Sequence, residues 1–288
     1  MSFWKALFGG NTSPEEEKKN NETRNFDLLK YDGVKALRMG KADYAVKCFQ
    51  EALRISDDLE TRDYLSQALI HTGQLEEALQ TLEEMRLSGQ PSRALMARMG
   101  HIAYMMEDYG RLADIANQAA EADDSNPHAY YMAAQAALGT GDYATAIDRL
   151  TTAVKLDESR ADARLLRAQT CMATGNIDDA LADAEWLLDN TADNEDVLLL
   201  AARLAVSQKR YDDALNYYNN VTEANPFNAD AYRERAKLRT ETGDPAGALE
   251  DMEHLHELMP DETPANGEPE SVEQMMKRGN DALNPFAS

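Results

Sequence analysis

The side chains of this protein that could bind a metal ion or act on a substrate are scattered along the chain. His254 and His256 are the closest pair of histidines, but residues two apart on a helix point about 200° apart, so the pair cannot share a metal ion there. The Gly-Thr-Gly at 139–141 is predicted to join two helices, which makes it a turn and not a phosphate-binding loop. Cys48 and Cys171 form no paired motif and are predicted as buried thiols inside helices. We therefore expect no enzyme activity, no catalytic residue, no metal ion and no cofactor.

The charge of the chain argues against two kinds of partner. The 288 residues contain 52 acidic and 29 basic side chains, which gives a formal net charge of -23. Nucleic acids and anionic membranes attract proteins through Lys and Arg, so this balance argues against both. High solubility is the simplest consequence of the charge. We expect a protein or peptide partner and no nucleic acid, and membrane contact is possible but not favoured.

A turn signal recurs every 33 or 34 residues along the chain. Most of its copies are glycines, and two other residues occupy the same slot where glycine is missing. The seven positions are Gly40, Gly73, Glu107, Gly141, Gly175, Lys209 and Gly243. A fixed period of this length predicts a repeat protein in which each unit packs mainly on its neighbours.

Small residues on both sides of each turn predict the structure of the unit. Five residues after the turn stand Ala45, Ala78, Leu112, Ala146, Ala180, Ala214 and Ala248, of which only Leu112 is large. Seven residues before it stand Gly33, Ser66, Gly100, Ala134, Ala168, Ala202 and Ala236. Apolar residues follow at steps of four and three, which place them on one helix face, and the small residues allow close approach of a partner helix. Each unit is therefore predicted to be two antiparallel helices joined by a short turn.

These residues resemble the tetratricopeptide repeat family. The match is clearest from Ala129 through Gly141 to Ala153, and again from Ala231 through Gly243 to Leu255. The resemblance covers about residues 26–260 and implies an all-α fold, a right-handed α-solenoid of about seven helix-turn-helix repeats. Leu112 departs from the family pattern and puts the geometry of the third helix pair in doubt, whereas Pro245 is tolerable near a helix start.

In this family the first helix of each repeat lines a concave groove, so the resemblance implies which side chains contact a partner. In the middle repeats the corresponding positions are aromatic, amide or aliphatic, which suits an extended or helical peptide. The last two repeats supply three cations that could hold a carboxylate or an acidic segment. The predicted partner-binding residues are His101, Tyr104, Tyr131, Gln135, Leu138, Gln169, Met172, Arg203, Arg233 and Lys237.

One alternative to this interpretation remains open in the sequence, and a second is not favoured. The three cations could instead pair with acidic residues of neighbouring helices, such as Asp196 and Asp230. The family's chaperone-binding members use a lysine and asparagine clamp, and no single repeat here offers such a pair in the groove. Binding of a chaperone tail is therefore not expected.

Two segments flank the predicted repeats. Residues 1–25 begin with Phe3, Trp4, Leu7 and Phe8, whose spacing forms one face of a short helix, and continue as a polar linker. This apolar face could contact a membrane, dock on a partner, fold onto the repeats or remain disordered; it is too short to span a bilayer, and no secretion signal is evident. Residues 261–288 form an acidic tail in which Val272, Met275 and Met276 are predicted to cover the last repeat.

Together these observations predict a non-enzymatic interaction scaffold in the cytoplasm that binds a peptide segment of a partner protein in its groove. The alternative is a membrane-associated assembly factor that uses residues 1–25 as a peripheral anchor. The partner itself, the biological process and the oligomeric state do not follow from the sequence.

Overall fold

The computed structural model describes residues 13–89 and 92–259 of the chain. Every regular element in these ranges is an α-helix, in agreement with the all-α prediction. The fourteen helices of the described ranges are α1 Pro14–Arg38, α2 Ala42–Ile55, α3 Leu59–His71, α4 Leu75–Ser88, α5 Arg93–Met105, α6 Tyr109–Ala122, α7 Pro127–Gly139, α8 Tyr143–Leu156, α9 Ala161–Ala173, α10 Ile177–Thr191, α11 Glu195–Ser207, α12 Tyr211–Ala224, α13 Ala229–Thr242 and α14 Pro245–Leu258.

The chain divides into two compact units. Unit 1 runs to Ala136 and unit 2 begins at Ala137, so the boundary falls within α7. In unit 1 the helices α1 to α6 form sequential pairs, in which each helix packs on the one before it. In unit 2 the helices α8 to α14 do the same. Such contacts between sequential helices are the pattern expected of a helical-repeat protein.

All seven predicted turns adopt the same backbone conformation. The five glycines at the turn position have φ between 71° and 86°, and Glu107 and Lys209 have φ of 56° and 59°. This left-handed region is readily adopted by glycine and costs other residues energy. The predicted turn positions are therefore confirmed, including the two without glycine.

The two strained turns lead to a stability prediction. A left-handed conformation costs a non-glycine residue about 1–2 kcal/mol, which replacement of Lys209 by glycine removes. Glycine in turn loses about 0.5–1 kcal/mol of backbone entropy on folding. We therefore expect the free energy of unfolding to rise by about 0.5–1 kcal/mol, which the midpoint of urea unfolding measures. The matched control is Gly175→Ala, where an added Cβ meets nothing within 4 Å and the sign should reverse. A Lys209→Gly protein no more stable than the parent would contradict the prediction.

The small residues flanking the turns lie in the core, as predicted. In unit 1, a Cβ atom added to Gly33 would lie 2.6 Å from the ring of Phe49, and that ring also stacks on Tyr64 at 5.7 Å between centroids. In unit 2, Ala168 and Ala202 are completely buried. The absence of a side chain is therefore what allows neighbouring helices to approach at these positions.

The third repeat accommodates Leu112 without losing its helix pair. Leu112 is fully buried, and its Cδ1 lies 3.5 Å from where a Cβ of Gly100 would stand. Gly100 thus makes room for the larger side chain, while Met132 fills the other side of the same space. The doubt about this pair's geometry is resolved by compensation between the two helices.

The first helix is longer than the sequence suggested. The stretch interpreted as the end of a polar linker is part of α1, which begins at Pro14 behind a capping box. The Ser13 hydroxyl accepts from the amide of Glu16 at 3.2 Å, and the Ser13 amide donates to the Glu16 carboxylate at 2.9 Å. These bonds satisfy free backbone groups at the helix start, so a polar sequence begins a helix here.

The remaining predictions about the flanking segments concern residues outside the described ranges. The apolar face of Phe3 to Phe8 and the predicted cap of Val272 to Met276 both lie there. Leu249 is exposed on α14, the last described helix. Among the described helices, none is long and apolar enough to cross a membrane.

Candidate functional site

The predicted contact residues of unit 1 lie on α5 and α7. His101 and Tyr104 are exposed on α5, and the Tyr104 ring meets Tyr109 edge-on at 6.5 Å between centroids. Tyr131 is half-buried on α7 and stacks on His128 at 5.9 Å. Stacked and edge-on ring contacts hold the side chains of Tyr104 and Tyr131 in place, so their rings are fixed apolar surfaces.

A charged network joins α3 and α5 in unit 1. Arg98 donates hydrogen bonds to the carboxylate of Asp63 and, at 3.3 Å, to the hydroxyl of Ser66. The side-chain amide of Gln67 donates to the same Asp63 carboxylate at 2.7 Å. The negative charge of Asp63 is therefore balanced within the protein, by an arginine that sequence reasoning did not identify.

The predicted contact residues at the start of unit 2 are uncharged and half-buried. Leu138, Gln169 and Met172 share this environment. Within the ranges 13–89 and 92–259, no residue hydrogen-bonds the side-chain amide of Gln169 or that of Gln135 in unit 1. Each amide carries two donors and one acceptor, so it can bond to the backbone of a bound peptide.

The cationic end of the predicted site is built around a buried carboxylate. The guanidinium of Arg203 forms a bidentate pair with Glu234, with Nη2–Oε1 at 2.6 Å and Nε–Oε2 at 3.0 Å. The buried phenol of Tyr218 donates to the same carboxylate at 3.0 Å. Burial and the charge of Glu234 raise the pKa of Tyr218, which keeps its proton on this bond.

The other two cations lie on α13. Arg233 pairs with Asp230 one turn earlier on the same helix, and Lys237 is half-buried one turn later. Pairing with Asp230 was one of the alternatives left open by the sequence. Arg203, in contrast, pairs with Glu234, which sequence reasoning missed because a lone glutamate on a charged helix resembles a solvated residue.

A second set of buried ion pairs recurs in unit 2. Asp183 accepts two bonds from Arg167, at 2.6 and 2.7 Å, and one from Arg164 at 3.2 Å. Asp251 accepts from Arg235 in the same way, at 2.5 and 3.0 Å. In both repeats the arginine stands eight residues before the turn and the aspartate eight residues after it. That shared offset was the signal in the sequence that could have found them.

The two cysteines are buried, as predicted. Burial is the main cause that raises the pKa of the Cys171 thiol, so the reactive thiolate form is disfavoured. In the part of the chain that the structure describes, no group of three or more His, Cys, Asp or Glu side chains is arranged to hold a metal ion.

The seven left-handed turns, the paired helices and the small residues between them define a helical-repeat protein of the tetratricopeptide type. A family model described as the tetratricopeptide repeat protein 21 N-terminal ARM repeat matches residues 36–244. This match spans well over half of the chain, and the protein belongs to that family. Among curated proteins, none matches the sequence significantly.

Solved structures share the fold. A tetratricopeptide repeat protein from Parabacteroides merdae ATCC 43184 is 14% identical with a TM-score of 0.67, over 89% of this chain and 99% of that one. PilW, a widely conserved type IV pilus biogenesis factor, is 14% identical with a TM-score of 0.62, over 70% and 94%. YrrB, a tetratricopeptide repeat protein with an unusual peptide-binding site, is 17% identical with a TM-score of 0.52, over 63% and 93%.

Proposed function

We propose that this protein is a non-enzymatic scaffold that binds a peptide segment of a partner protein through the first helices of its repeats. The observation that carries the proposal is the uncharged, half-buried surface in each unit: Tyr131 and Gln135 in unit 1, and Leu138, Gln169 and Met172 in unit 2. Apolar contact area beside unpaired amides suits an extended or helical peptide. The likeness to YrrB supports the same class of ligand.

The proposal predicts which side chains a partner needs. Tyr131→Ala removes a held aromatic surface, and we expect it to weaken binding by about 2 kcal/mol or more, as for other central aromatic contacts. Gln135→Ala should weaken binding by a smaller amount, because it removes groups that can hydrogen-bond to the partner. The partner is first recovered by crosslinking from lysate, and affinities are then measured by calorimetry.

The matched control is Gln118→Ala, because Gln118 is exposed on α6, the second helix of its repeat. That change should leave affinity intact. Circular dichroism checks that each variant is folded. Unchanged affinity in the folded Tyr131→Ala, Gln135→Ala double variant would show that unit 1 does not bind the partner through this surface.

We further propose that an acidic part of the ligand contacts Arg233 and Lys237. Arg203 takes a supporting role, because its partner Glu234 is buried and also accepts a hydrogen bond from Tyr218, whereas the Asp230 that pairs with Arg233 is exposed. Exposed charge contacts are screened beyond about 8 Å at physiological ionic strength. Affinity should therefore fall as salt is raised, and Lys237→Glu should weaken binding and flatten that dependence. Binding that ignores both salt and Lys237→Glu would remove the acidic segment from the proposal.

A further inference from the structure

The loop between α12 and α13 carries the most exposed large apolar side chain among the described residues. Phe227 is 78% exposed, and the neighbouring Ala224 and Pro226 are exposed as well. We call residues 225–228 the Phe227 loop. A single exposed apolar residue is ordinary on a protein surface, but this one occupies a position where other repeats have short polar side chains.

The position is defined by the repeat register. Phe227 lies sixteen residues before Gly243, the turn residue of its repeat. In four other repeats the residue at the same distance before the turn is Asp57, Ser125, Ser159 or Asp193. The aromatic ring is therefore a departure from the pattern of the repeats and not a part of it.

The corresponding loops fold in the same way without an aromatic residue. In residues 123–126 and 157–160, the first aspartate accepts from the amide and the hydroxyl of the serine two residues later, at 3.1 and 2.7 Å. In the Phe227 loop, the side chain of Asn225 accepts from the amide of Phe227 at 3.0 Å. A serine in place of Phe227 would keep that bond and supply a hydroxyl for a second one, so the fold does not require the ring.

The Phe227 loop is held against the repeat that precedes it. The side-chain amides of Asn225 and Asn228, on either side of Phe227, donate to one carboxylate oxygen of Glu195 at 2.8 and 3.0 Å. Asn228 also caps α13 by accepting from the amide of Ala231 at 3.0 Å. A loop that is already fixed loses little conformational entropy on binding, and aromatic side chains are enriched at protein interfaces. The loop thus presents Phe227 in a form suited to binding.

The charge around the ring indicates the chemistry of a partner. Exposed carboxylates lie in the Glu195 loop and at the end of α12: Asp193, Asp196 and Glu223. Residues 192–196 and 223–230 contain no Lys or Arg. A second copy of this chain, with its net charge of -23, or an anionic membrane would bring more negative charge to this surface. A protein with Lys and Arg around an apolar pocket matches both the ring and the charge.

We propose that Phe227 inserts into an apolar pocket of a partner protein whose Lys and Arg side chains contact the surrounding carboxylates. This surface differs from the one proposed on the first helices, because here the protein supplies the inserted side chain and the partner supplies the pocket. The two surfaces are separate sets of residues, so each can be tested without the other.

Photocrosslinking in the full-length chain tests the contact. The photoreactive residue p-benzoylphenylalanine is placed at Phe227 and, as the matched control, at Ser159, which holds the same position in another repeat. We expect the probe at 227 to crosslink a protein from lysate that the probe at 159 does not. The crosslinked protein is identified by mass spectrometry and purified, and its affinity for the parent chain and its variants is measured by calorimetry.

The variants test the ring and the charge separately. Phe227→Ser should lower the affinity about 30-fold or more, the loss typical of a central anchor residue, without lowering the urea midpoint. Asp193→Lys with Glu223→Lys should lower it several-fold, because the basic rim would then meet like charge. Leu249→Ser, at another exposed apolar residue of unit 2, should leave the affinity unchanged.

Every other result overturns the proposal. Crosslinks from both probes, or from neither, mean that the Phe227 loop has no partner of its own. Crosslinks to the chain itself assign the ring to a second copy, and sedimentation with phosphatidylserine vesicles that Phe227→Ser abolishes assigns it to a membrane. A captured protein that binds Phe227→Ser as tightly as the parent contacts another surface, and loss of its binding in Tyr131→Ala would place it on the first helices.

Discussion

Replacement of Asp183 by alanine should destabilise unit 2 by about 3 kcal/mol, at the lower end of the cost of breaking a buried ion pair. Asp183 is 2% exposed and accepts hydrogen bonds from both Arg164 and Arg167. Its removal leaves Arg167 partly buried without the carboxylate that raises the pKa of its guanidinium. The urea midpoint measures the loss, and amide exchange should rise first in α9 and α10.

Two control variants separate the ion pair from the general effect of losing a carboxylate. Asp189→Ala removes an exposed carboxylate from the same helix, and its effect should stay within about 0.5 kcal/mol. Arg167→Met combined with Asp183→Leu replaces both partners by apolar side chains and should cost less than Asp183→Ala alone. If Asp183→Ala were as mild as Asp189→Ala, the buried pair would contribute nothing to stability.

Replacement of Phe49 by alanine should destabilise unit 1 by about 3–5 kcal/mol, because it leaves a cavity in a packed core. Phe49 is completely buried between Gly33 and the Tyr64 ring. Gly33→Ala alone should cost about 1–3 kcal/mol through overpacking, since its new methyl would lie within 3 Å of the Phe49 ring. Urea unfolding of the single and double variants measures both effects.

Gly33→Ala in the Phe49→Ala background tests directly whether the Phe49 ring limits the space beside Gly33. In the Phe49→Ala protein the ring is gone, so Gly33→Ala should become stabilising by about 0.5–1 kcal/mol, the usual gain over glycine within a helix. Gly110→Ala is the matched control, because Gly110 lies in α6 with the nearest heavy atom 3.7 Å from an added Cβ. Its effect should not depend on Phe49. A Gly33→Ala effect equal in both backgrounds would show that the ring does not limit the close approach.

Features imposed by backbone geometry were predictable from this sequence. A left-handed turn favours glycine, and two crossing helices need a small residue where they touch, so Gly141 and Ala168 mark their positions by type alone. Because both requirements recur at a fixed interval, Glu107 and Lys209 could be placed by register even without the favoured residue. The helix pairs and the turns that join them followed from these two constraints.

Features that depend on pairing across helices were not predictable in the same way. Glu234 and Asp183 are two of 52 acidic residues. Nothing in the sequence around Glu234 separates it from the residues of solvated faces, and Asp183 is marked only by its offset from Arg167, which Asp251 and Arg235 repeat. Their roles depend on which arginine a neighbouring helix brings within 3 Å. The length of α1 was missed for a related reason, since the capping box at Ser13 outweighs a composition typical of a linker.

The buried ion pairs also restrict how this protein can change by gain or loss of repeats. Arg203 and Glu234 come from successive repeats, and Arg235 bonds to Asn219 and Thr222 of the repeat before its own. Excision of one 34-residue unit that carries one partner of such a pair would leave the other partner's charge in the core, however well the helices themselves still stacked. Repeats with a consensus sequence can be exchanged or reordered, because their contacts with neighbours are alike. The last repeats of this chain depend on pairs that only they can form, so they must be kept together. Insertion or duplication of a repeat is therefore tolerable only outside them.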